Sequence, residues 1–535
     1  MLYIPALVAG DAVSSAQLRA LPPYLFAFFS VLMAGAFAPR TTERLLIVGI
    51  FILCIYESVV GLSQVFSLAS SNHPLFSMTG TLANPGPYGG LVAVAMAVAV
   101  PWSLRIVRMK GRPDLKSVGF WLSALAAAAT ALGFLVLPAS MSRAAWIALV
   151  VSVMVFGFLE LEWGRKIAGL NRWWLVAGAV LAVAAVAGLF VLKPDSALGR
   201  LHIWRIDILA MLDSPLTGSG VGYRTFAFGQ AQASFYASAA RSPLTVSLSS
   251  CTEESFNEFL SLGVVGGIPA LALSLLISLS AVRILVRRRS PLAYGLICWL
   301  VFSCFSYPLS VPHLAVLLSV FLSSACVPAD AGRPFVSRIP LASAVLLLSA
   351  LSLILWVRSI PEVSGRKEAE KEYEYSRMFM QDGSYDVAVR SFKPLKEALS
   401  DNFRYLYDYG YSLHQEGRYD ESSAILARGA AISCDPVFHT IMGKNAEALG
   451  DFSLAEEEYS LAMNMVPCRL YPRCLLMELK VKQGDYRTAS EYAAEALSLP
   501  VNPRHLSMQD IHARIQACAD TLKMKNLPIE NATEH

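Results

Sequence analysis

Apolar runs long enough to cross a bilayer recur along the chain as far as residue 358, and beyond it the composition turns to that of a water-soluble protein. A helical span needs about 20 predominantly apolar residues to cover the hydrocarbon core. In that medium an unpaired backbone amide has no water to turn to, so only helices or closed barrels can span it. Runs of this length therefore predict helices, at roughly 22–38, 44–67, 87–104, 117–137, 144–161, 173–193, 258–282, 292–309, 313–329 and 339–357. The first and ninth are the shortest. The whole-chain figures, 55% hydrophobic and 16% charged, average over two regimes; a soluble domain alone would carry about 25% charged residues. The expected organisation is a multi-pass membrane domain over 1–358, with a long outer loop near 194–257, followed by a soluble domain over 359–535.

Arginine and lysine set the orientation. Arg40 and Arg44 follow the first run, Arg105, Arg108, Lys110, Arg112 and Lys116 the third, and Arg165, Lys166 and Arg172 the fifth. Arg283, Arg287, Arg288 and Arg289 follow the seventh, and Arg333 and Arg338 the ninth. Basic residues accumulate in short cytoplasmic loops, so these loops are expected inside. The segments at 68–86, 142–143 and 194–257 and the whole C-terminal domain are then expected outside. Residues 1–20 carry no basic stretch ahead of an apolar core, so no cleavable signal is expected there and the N-terminus falls outside.

The net charge of +4, with no basic cluster interleaved with aromatics, argues against a nucleic-acid partner. Nine cysteines show no metal-type spacing, and neither a metal nor another cofactor is expected. Cys468 and Cys474 are close enough in sequence to bond on an oxidising side, or to stand as two free thiols.

The soluble domain repeats itself. Gly383-Ser384-Tyr385-Asp386, Gly417-Arg418-Tyr419-Asp420, Gly450-Asp451-Phe452-Ser453 and Gly484-Asp485-Tyr486-Arg487 place their glycines 34, 33 and 34 residues apart. Each string is flanked by helix-like stretches carrying small residues such as Ala388, Ala424, Ala455 and Ala489. This is the tetratricopeptide period, a helical hairpin stacked on its neighbours. The expected fold class is therefore all-α: a polytopic transmembrane helical bundle followed by a tetratricopeptide-repeat α-solenoid. Such arrays present a concave face that binds protein segments, so a protein partner is expected there; the alternative is a shield for the membrane domain.

Polar chemistry within the membrane domain is confined to a few places on the expected outer side. Gly80-Thr81-Leu82-Ala83-Asn84-Pro85 breaks the chain before the third run. Ser142-Arg143 stands between two runs with almost no loop. An arginine there either reaches to the interface or points inward at an anion, for which its planar fork suits it. In the long segment, Arg200, Trp204 and Ile208 share a helix face. They are joined by Arg205, Arg224 and Arg241 on the same outer side. Asp213-Ser214-Pro215-Leu216-Thr217-Gly218 ends that helix, and Gly218, Gly220 and Gly222 are able to bring backbone N–H groups to an anion. Glu253, Glu254, Asn257 and Glu258 precede the seventh run. Carboxylates there serve either as a general base or as helix caps.

In this order, with Ser142-Arg143-Ala144-Ala145-Trp146 and Phe256-Asn257-Glu258-Phe259-Leu260 followed by Gly263 and Gly266, the pieces resemble the O-antigen ligase superfamily over roughly 22–330. That superfamily includes O-antigen ligases, O-linked oligosaccharyltransferases and related polymerases. The resemblance implies transfer of a glycan from undecaprenyl diphosphate to an acceptor lipid, protein hydroxyl or growing polysaccharide, at the periplasmic face of the bacterial inner membrane. It implies diphosphate binding by Arg143 and Arg200, with Arg224 grouped beside them. Asn84, Trp204, Asp213, Gly218 and Gly220 are expected to support the site. Many members carry a histidine just before the asparagine that matches Asn257; here that position is Phe256. Neither His73 nor His202 follows the pattern as its replacement. Proton transfer then falls to Glu258, Glu254 or Glu253, with Asn257 beside them in the catalytic group, or the acceptor chemistry differs, or the protein is an inactive scaffold that recruits partners through its repeats. Transport is disfavoured, because the polar residues cluster at one face rather than at the midplane.

Overall fold

The computed structural model describes residues 21–107, 117–163, 194–238, 242–327, 339–499 and 506–525. The sixth expected span, the basic residues at 108–116, 165–172 and 333–338, Arg241 and the first twenty residues lie outside them. Among the described residues all regular structure is helical. The N-terminal part comprises α1 (Pro22–Phe37), α2 (Pro39–Val65), α3 (Pro85–Val107), α4 (Val118–Val136) and α5 (Arg143–Glu160). The middle part comprises α6 (Pro194–Asp213), α7 (Arg224–Ser238), α8 (Pro243–Leu248), α9 (Glu258–Arg287), α10 (Leu292–Ser303), α11 (Pro312–Cys326) and α12 (Ile339–Gln381). Six of these, α2, α3, α4, α5, α9 and α12, are long and apolar enough to cross a membrane, and α1, α10 and α11 are shorter apolar helices. This is a multi-pass membrane protein.

The bundle is built around α3, which packs against α2, α4, α5 and α10. Leu91 to Ala99 are all buried. Small side chains at Ala93, Ala95, Ala97 and Ala99 let the surrounding helices approach closely. The opposite pattern marks α12, whose Leu346, Leu347, Leu351 and Ile354 are exposed, as lipid-facing side chains are. The expected run at 292–309 is shorter than its hydropathy: α10 ends at Ser303, and Cys304 to Val311 form turns and a 3-10 segment, Pro308–Ser310. That break places Phe305 and Tyr307 at the end of α10 rather than within it.

A second break lies in α9. Gly267 has φ +71 and Pro269 follows it. Proline has no N–H to offer Val265, so the break strands backbone groups that must be paired elsewhere. The segment after α6 pairs them. Ser219 N–H donates to Val264 O at 2.8 Å, Gly220 N–H donates to Val265 O at 3.0 Å, and Ile268 N–H donates to Pro215 O at 2.8 Å. Gly218 (φ +68) lies so close that a Cβ would sit 2.4 Å from the Val265 carbonyl.

The repeats begin inside the long helix α12 itself, across residue 358. They continue through α13 (Tyr385–Phe392), α14 (Phe403–Gln415), α15 (Tyr419–Ala430), α16 (Val437–Ala448), α17 (Phe452–Met465), α18 (Leu470–Gln483), α19 (Tyr486–Leu497) and α20 (Leu506–Lys525). The repeating glycines all have positive φ, +78, +73, +85 and +81. A Cβ would meet nothing at any of them, so backbone conformation rather than space selects glycine. The array docks on α7: Phe228 and Ala231 share an apolar cluster with Cys434, Met465 and Val466. Cys251 and Cys434 form a disulfide across the junction, with Cα atoms 5.4 Å apart. Cys468 and Cys474 are free thiols, so the sequence-neighbour pairing is not made. Cys468 instead hydrogen-bonds Ser249.

Candidate active site

Two arginines far apart in sequence meet in one cavity. A space of about 480 Å³ at one end of the bundle is lined by Asn84, Ser142, Arg143, Arg200, Phe256 and Tyr307, among others. Each residue is delivered by a specific local constraint. Arg143 opens α5, and Ser142 beside it donates to Gly86 O at 3.2 Å, tying that turn to the start of α3. Gly89 allows this approach, since a Cβ there would lie 2.7 Å from Ser142. Trp146 Nε1 donates to Leu137 O at 2.9 Å and holds the preceding turn. Arg200 comes from α6. Its Nη1 donates to Phe305 O at 3.1 Å, and its guanidinium lies 5.0 Å from the centre of the Phe256 ring. Burial, and then the charge of Arg143, lower the Arg200 pKa below its ordinary value. Two guanidiniums converging on a partly desolvated space have the chemistry to hold an anion.

The loop before α3 is anchored from within α2. Gln64 Oε1 accepts from Thr79 N at 2.9 Å and Gly80 N at 2.8 Å. Buried Glu57 accepts from Thr81 N at 3.1 Å and from its hydroxyl at 2.5 Å. Asn84 at the end of that loop accepts from Gly86 N at 2.8 Å and donates to the Tyr307 hydroxyl at 3.1 Å. Tyr307 packs edge-on to Phe256 at 5.6 Å. Both rings also line a second, larger space, of about 980 Å³, between the 251–256 segment and the repeat array, and Glu254 lines it with them.

The acidic group before α9 divides sharply. Asn257 is the N-cap of α9: its Oδ1 accepts from Phe259 N at 3.1 Å and Leu260 N at 3.2 Å. A capping asparagine there satisfies amides that a helix leaves bare. Glu258 is buried, and its Oε2 accepts from Leu309 N at 3.0 Å, so it braces the 304–311 segment. Neither residue's carboxyl or amide oxygen points at the arginine cavity as an open base. Glu254 differs. It lies in the second cavity, hydrogen-bonded to Ser310, and burial raises its pKa to about 7, only partly offset by Ser310 and by the charge of Arg224. Of the acidic residues expected to serve, it alone combines a cavity with a pKa near neutrality.

Arg224 does not join the arginine cavity. It is buried, with Nη2 3.0 Å from Asp207 Oδ1 and Nη1 donating to Thr252 O at 3.2 Å. A fully buried carboxylate demands a paired cation, and Asp207 claims Arg224 for that purpose. Gly218 and Gly220 are likewise occupied, packed and hydrogen-bonded against the break in α9, while Gly222 lines the larger cavity. Asp213 is exposed at the end of α6. Trp204 supports the site: its Nε1 donates to Ser255 O at 3.1 Å and its ring packs 6.1 Å from Phe305. His202 faces the Tyr236 hydroxyl at 3.1 Å. Sequence reasoning passed over Glu57, Gln64, Tyr307, Asp207 and Cys251. For Glu57 a signal existed, a carboxylate within an apolar span; Tyr307 was hidden inside a run read as helix.

Residues 128–275 match the family model described as O-antigen ligase. The O-antigen ligase match starts within α4 and ends within α9. It contains Arg143, Arg200, Glu254 and Phe256, while Asn84 and Tyr307 lie outside it. No curated protein matches the chain. Among solved structures, the type III secretion chaperone SycD of Yersinia enterocolitica, in complex with a peptide of the translocator YopD, is 20% identical. That match covers 24% of this chain and 95% of that one, with a TM-score of 0.22. MamA from Desulfovibrio magneticus RS-1 is 19% identical over 31% of this chain and 90% of that one, with a TM-score of 0.24. The ligase match supports a membrane glycan-transfer function.

Proposed function

We propose that the protein transfers a glycan from an undecaprenyl diphosphate carrier to an acceptor hydroxyl at the periplasmic face of the bacterial inner membrane. The observation that carries this reading is the convergence of Arg143 and Arg200 on one cavity. The diphosphate sits between the guanidiniums, which accept the charge that develops as the bond from phosphate oxygen to sugar C1 breaks. Such preorganised charges stabilise a leaving group without a metal. The acceptor oxygen forms the new bond to C1, and its proton passes to the Glu254 carboxylate. The electron pair of the broken bond stays on the diphosphate. Phe256 and Tyr307 line both cavities, so donor and acceptor meet beside these two rings. Glu258 and Asn257 act as positioning residues: one fixes the 304–311 segment, the other the start of α9.

The disulfide between Cys251 and Cys434 supports placement of the repeats in an oxidising compartment, where such bonds persist. The test is transfer from purified lipid-linked glycan by the full chain in nanodiscs. Arg143→Ala and Arg200→Ala are each expected to abolish transfer and binding of undecaprenyl diphosphate at normal protein levels. Wild-type transfer by either variant refutes the assignment.

A further inference from the structure

The larger cavity has one wall from each domain. The membrane domain contributes Thr252, Glu253 and Glu254, and the repeats contribute Phe403, Tyr407 and Arg469 with their neighbours. We infer that this cavity is an acceptor subsite built jointly by the two domains, and that its occupant is an extended neutral oligosaccharide whose terminal hydroxyl reaches Glu254. The inference rests on the transfer reading above and names the acceptor class for it.

The array is fixed here rather than loosely tethered. The disulfide joins Cys251, three residues before Glu254, to Cys434 of the repeats. Cys468 N–H donates to Ser249 Oγ at 3.4 Å, and Gln232 Nε2 donates to Met465 O. The apolar cluster of Phe228, Ala231, Cys434 and Met465 closes the junction beneath. A ligand in this cavity therefore touches both domains at once. Phe256 and Tyr307 line the donor cavity too, so the two spaces adjoin at these rings.

The lining selects the ligand. Its guanidiniums are matched by carboxylates: Arg377 with Asp408 at 2.9 Å, Arg469 with Asp435 at 2.7 Å, and Arg404 with Glu253 at 3.8 Å. The donor cavity, by contrast, concentrates Arg143 and Arg200. Asp401 is paired with Arg366 outside the lining, which leaves Glu254 as the carboxylate in excess, so the wall carries no positive field to draw a phosphate or an acidic peptide. It does set hydrogen-bond donors beside acceptors, and a sugar hydroxyl is both at once. The half-buried rings of Phe403 and Tyr407 add flat π-faces, negative at the face, against which the C–H side of a sugar ring packs. A helical peptide would instead need a continuous apolar stripe.

The test uses the full chain in nanodiscs and saturation-transfer NMR. The probes are oligosaccharide released by mild acid from the same cells' lipid-linked glycan, and a Ser/Thr-rich peptide of similar mass. Wild type is expected to saturate the oligosaccharide and not the peptide. Tyr407→Ala, and separately the exposed pair Arg404→Ala with Arg469→Ala, are expected to weaken oligosaccharide binding at least about tenfold, as loss of an aromatic or arginine anchor does. Binding of undecaprenyl diphosphate should be unchanged in these variants, which also reports that they are folded. Saturation of the peptide alone, or oligosaccharide binding unaffected by the repeat variants, overturns the inference. The donor reading fails separately, if wild type does not bind undecaprenyl diphosphate or if Arg143→Ala binds it normally.

Discussion

Replacing Glu254 by glutamine tests the proposed chemistry at its most exposed point. The substitution keeps the shape and the Ser310 contact and removes the titrating oxygen. With the Glu254 pKa raised to about 7 by burial, the ionised fraction at pH 5 is about one in a hundred, since each unit is tenfold. Wild-type kcat/KM should therefore rise about 100-fold between pH 5 and the plateau above pH 8, along a single limb. Glu254→Gln should lose about 10²–10⁴-fold on the plateau, the usual contribution of a positioned base, and should lose the limb as well. Stability gives an independent readout with the opposite sense. The folded pKa lies above the ordinary 4.5, so between these values the folded state holds more protons than the unfolded one. Its contribution is present in full below pH 4.5 and is lost as the pH rises through about 7. Thermal unfolding of wild type should show that decline, and Glu254→Gln should flatten it. Transfer by Glu254→Gln at the wild-type rate, or a limb near pH 7 that survives in the variant, refutes the assignment of the base. The reaction would then rest on leaving-group activation alone.

Other expectations follow from the arginines and the topology. Arg143→Lys and Arg200→Lys should transfer poorly although charge is retained, because lysine lacks the planar fork that grips a diphosphate; normal kcat/KM in either would refute bidentate recognition. Asp207→Asn and Arg224→Met should each lower unfolding stability by about 3–5 kcal/mol, the cost of leaving a buried charge unpaired, while the double replacement should cost less than their sum. Additive losses in that cycle would show that the 3.0 Å pair is not coupled. Gly218→Ala should destabilise through its positive φ and the Val265 carbonyl 2.4 Å from the new Cβ, read as a lower Tm. A single cysteine at exposed Leu244 should be labelled from outside intact cells, and one at Lys110 should not. The reverse pattern would invert the proposed orientation.

Helices were legible because their signals are local. The described helices fall on nine of the expected runs, and the repeat glycines take the turn conformation that their spacing implies. Arg143 and Arg200 were legible as candidates because an arginine beside apolar sequence is costly enough to need a reason. Arg224 carried the same signal for a different reason: its partner, Asp207, is 17 positions away and is read in sequence as one more polar residue of a helix. Pairings of this kind depend on which helix faces meet, and no local pattern reports that. The disulfide was not foreseen on the same ground. Cys468 and Cys474 are neighbours in sequence, whereas Cys251 and Cys434 are 183 residues apart and meet only through docking of the array on α7. The run at 292–309 hid Tyr307 because hydropathy does not register where a helix stops.

Phe256 draws these constraints together. It has φ +50, a left-handed conformation that a bulky side chain rarely takes. Such a residue costs on the order of 1–3 kcal/mol and persists only where its surroundings over-determine it. The surroundings here do. On the N-terminal side, Arg224 donates to Thr252 O, the disulfide holds Cys251, and Trp204 donates to Ser255 O. On the C-terminal side, Asn257 is pinned by two amides of α9 and Glu258 by Leu309 N. With both flanks fixed, the backbone at 256 has one way through, and it sends the ring between Arg200 and Tyr307. Met141, the other left-handed residue of this cavity, lines it beside Arg143. Residues named for catalysis or phosphate in the sequence, Asn257, Glu258 and Arg224, thus serve the cavity at one remove. They spend their hydrogen bonds on the backbone that sets Phe256 between the arginine-lined cavity and the half-buried Glu254.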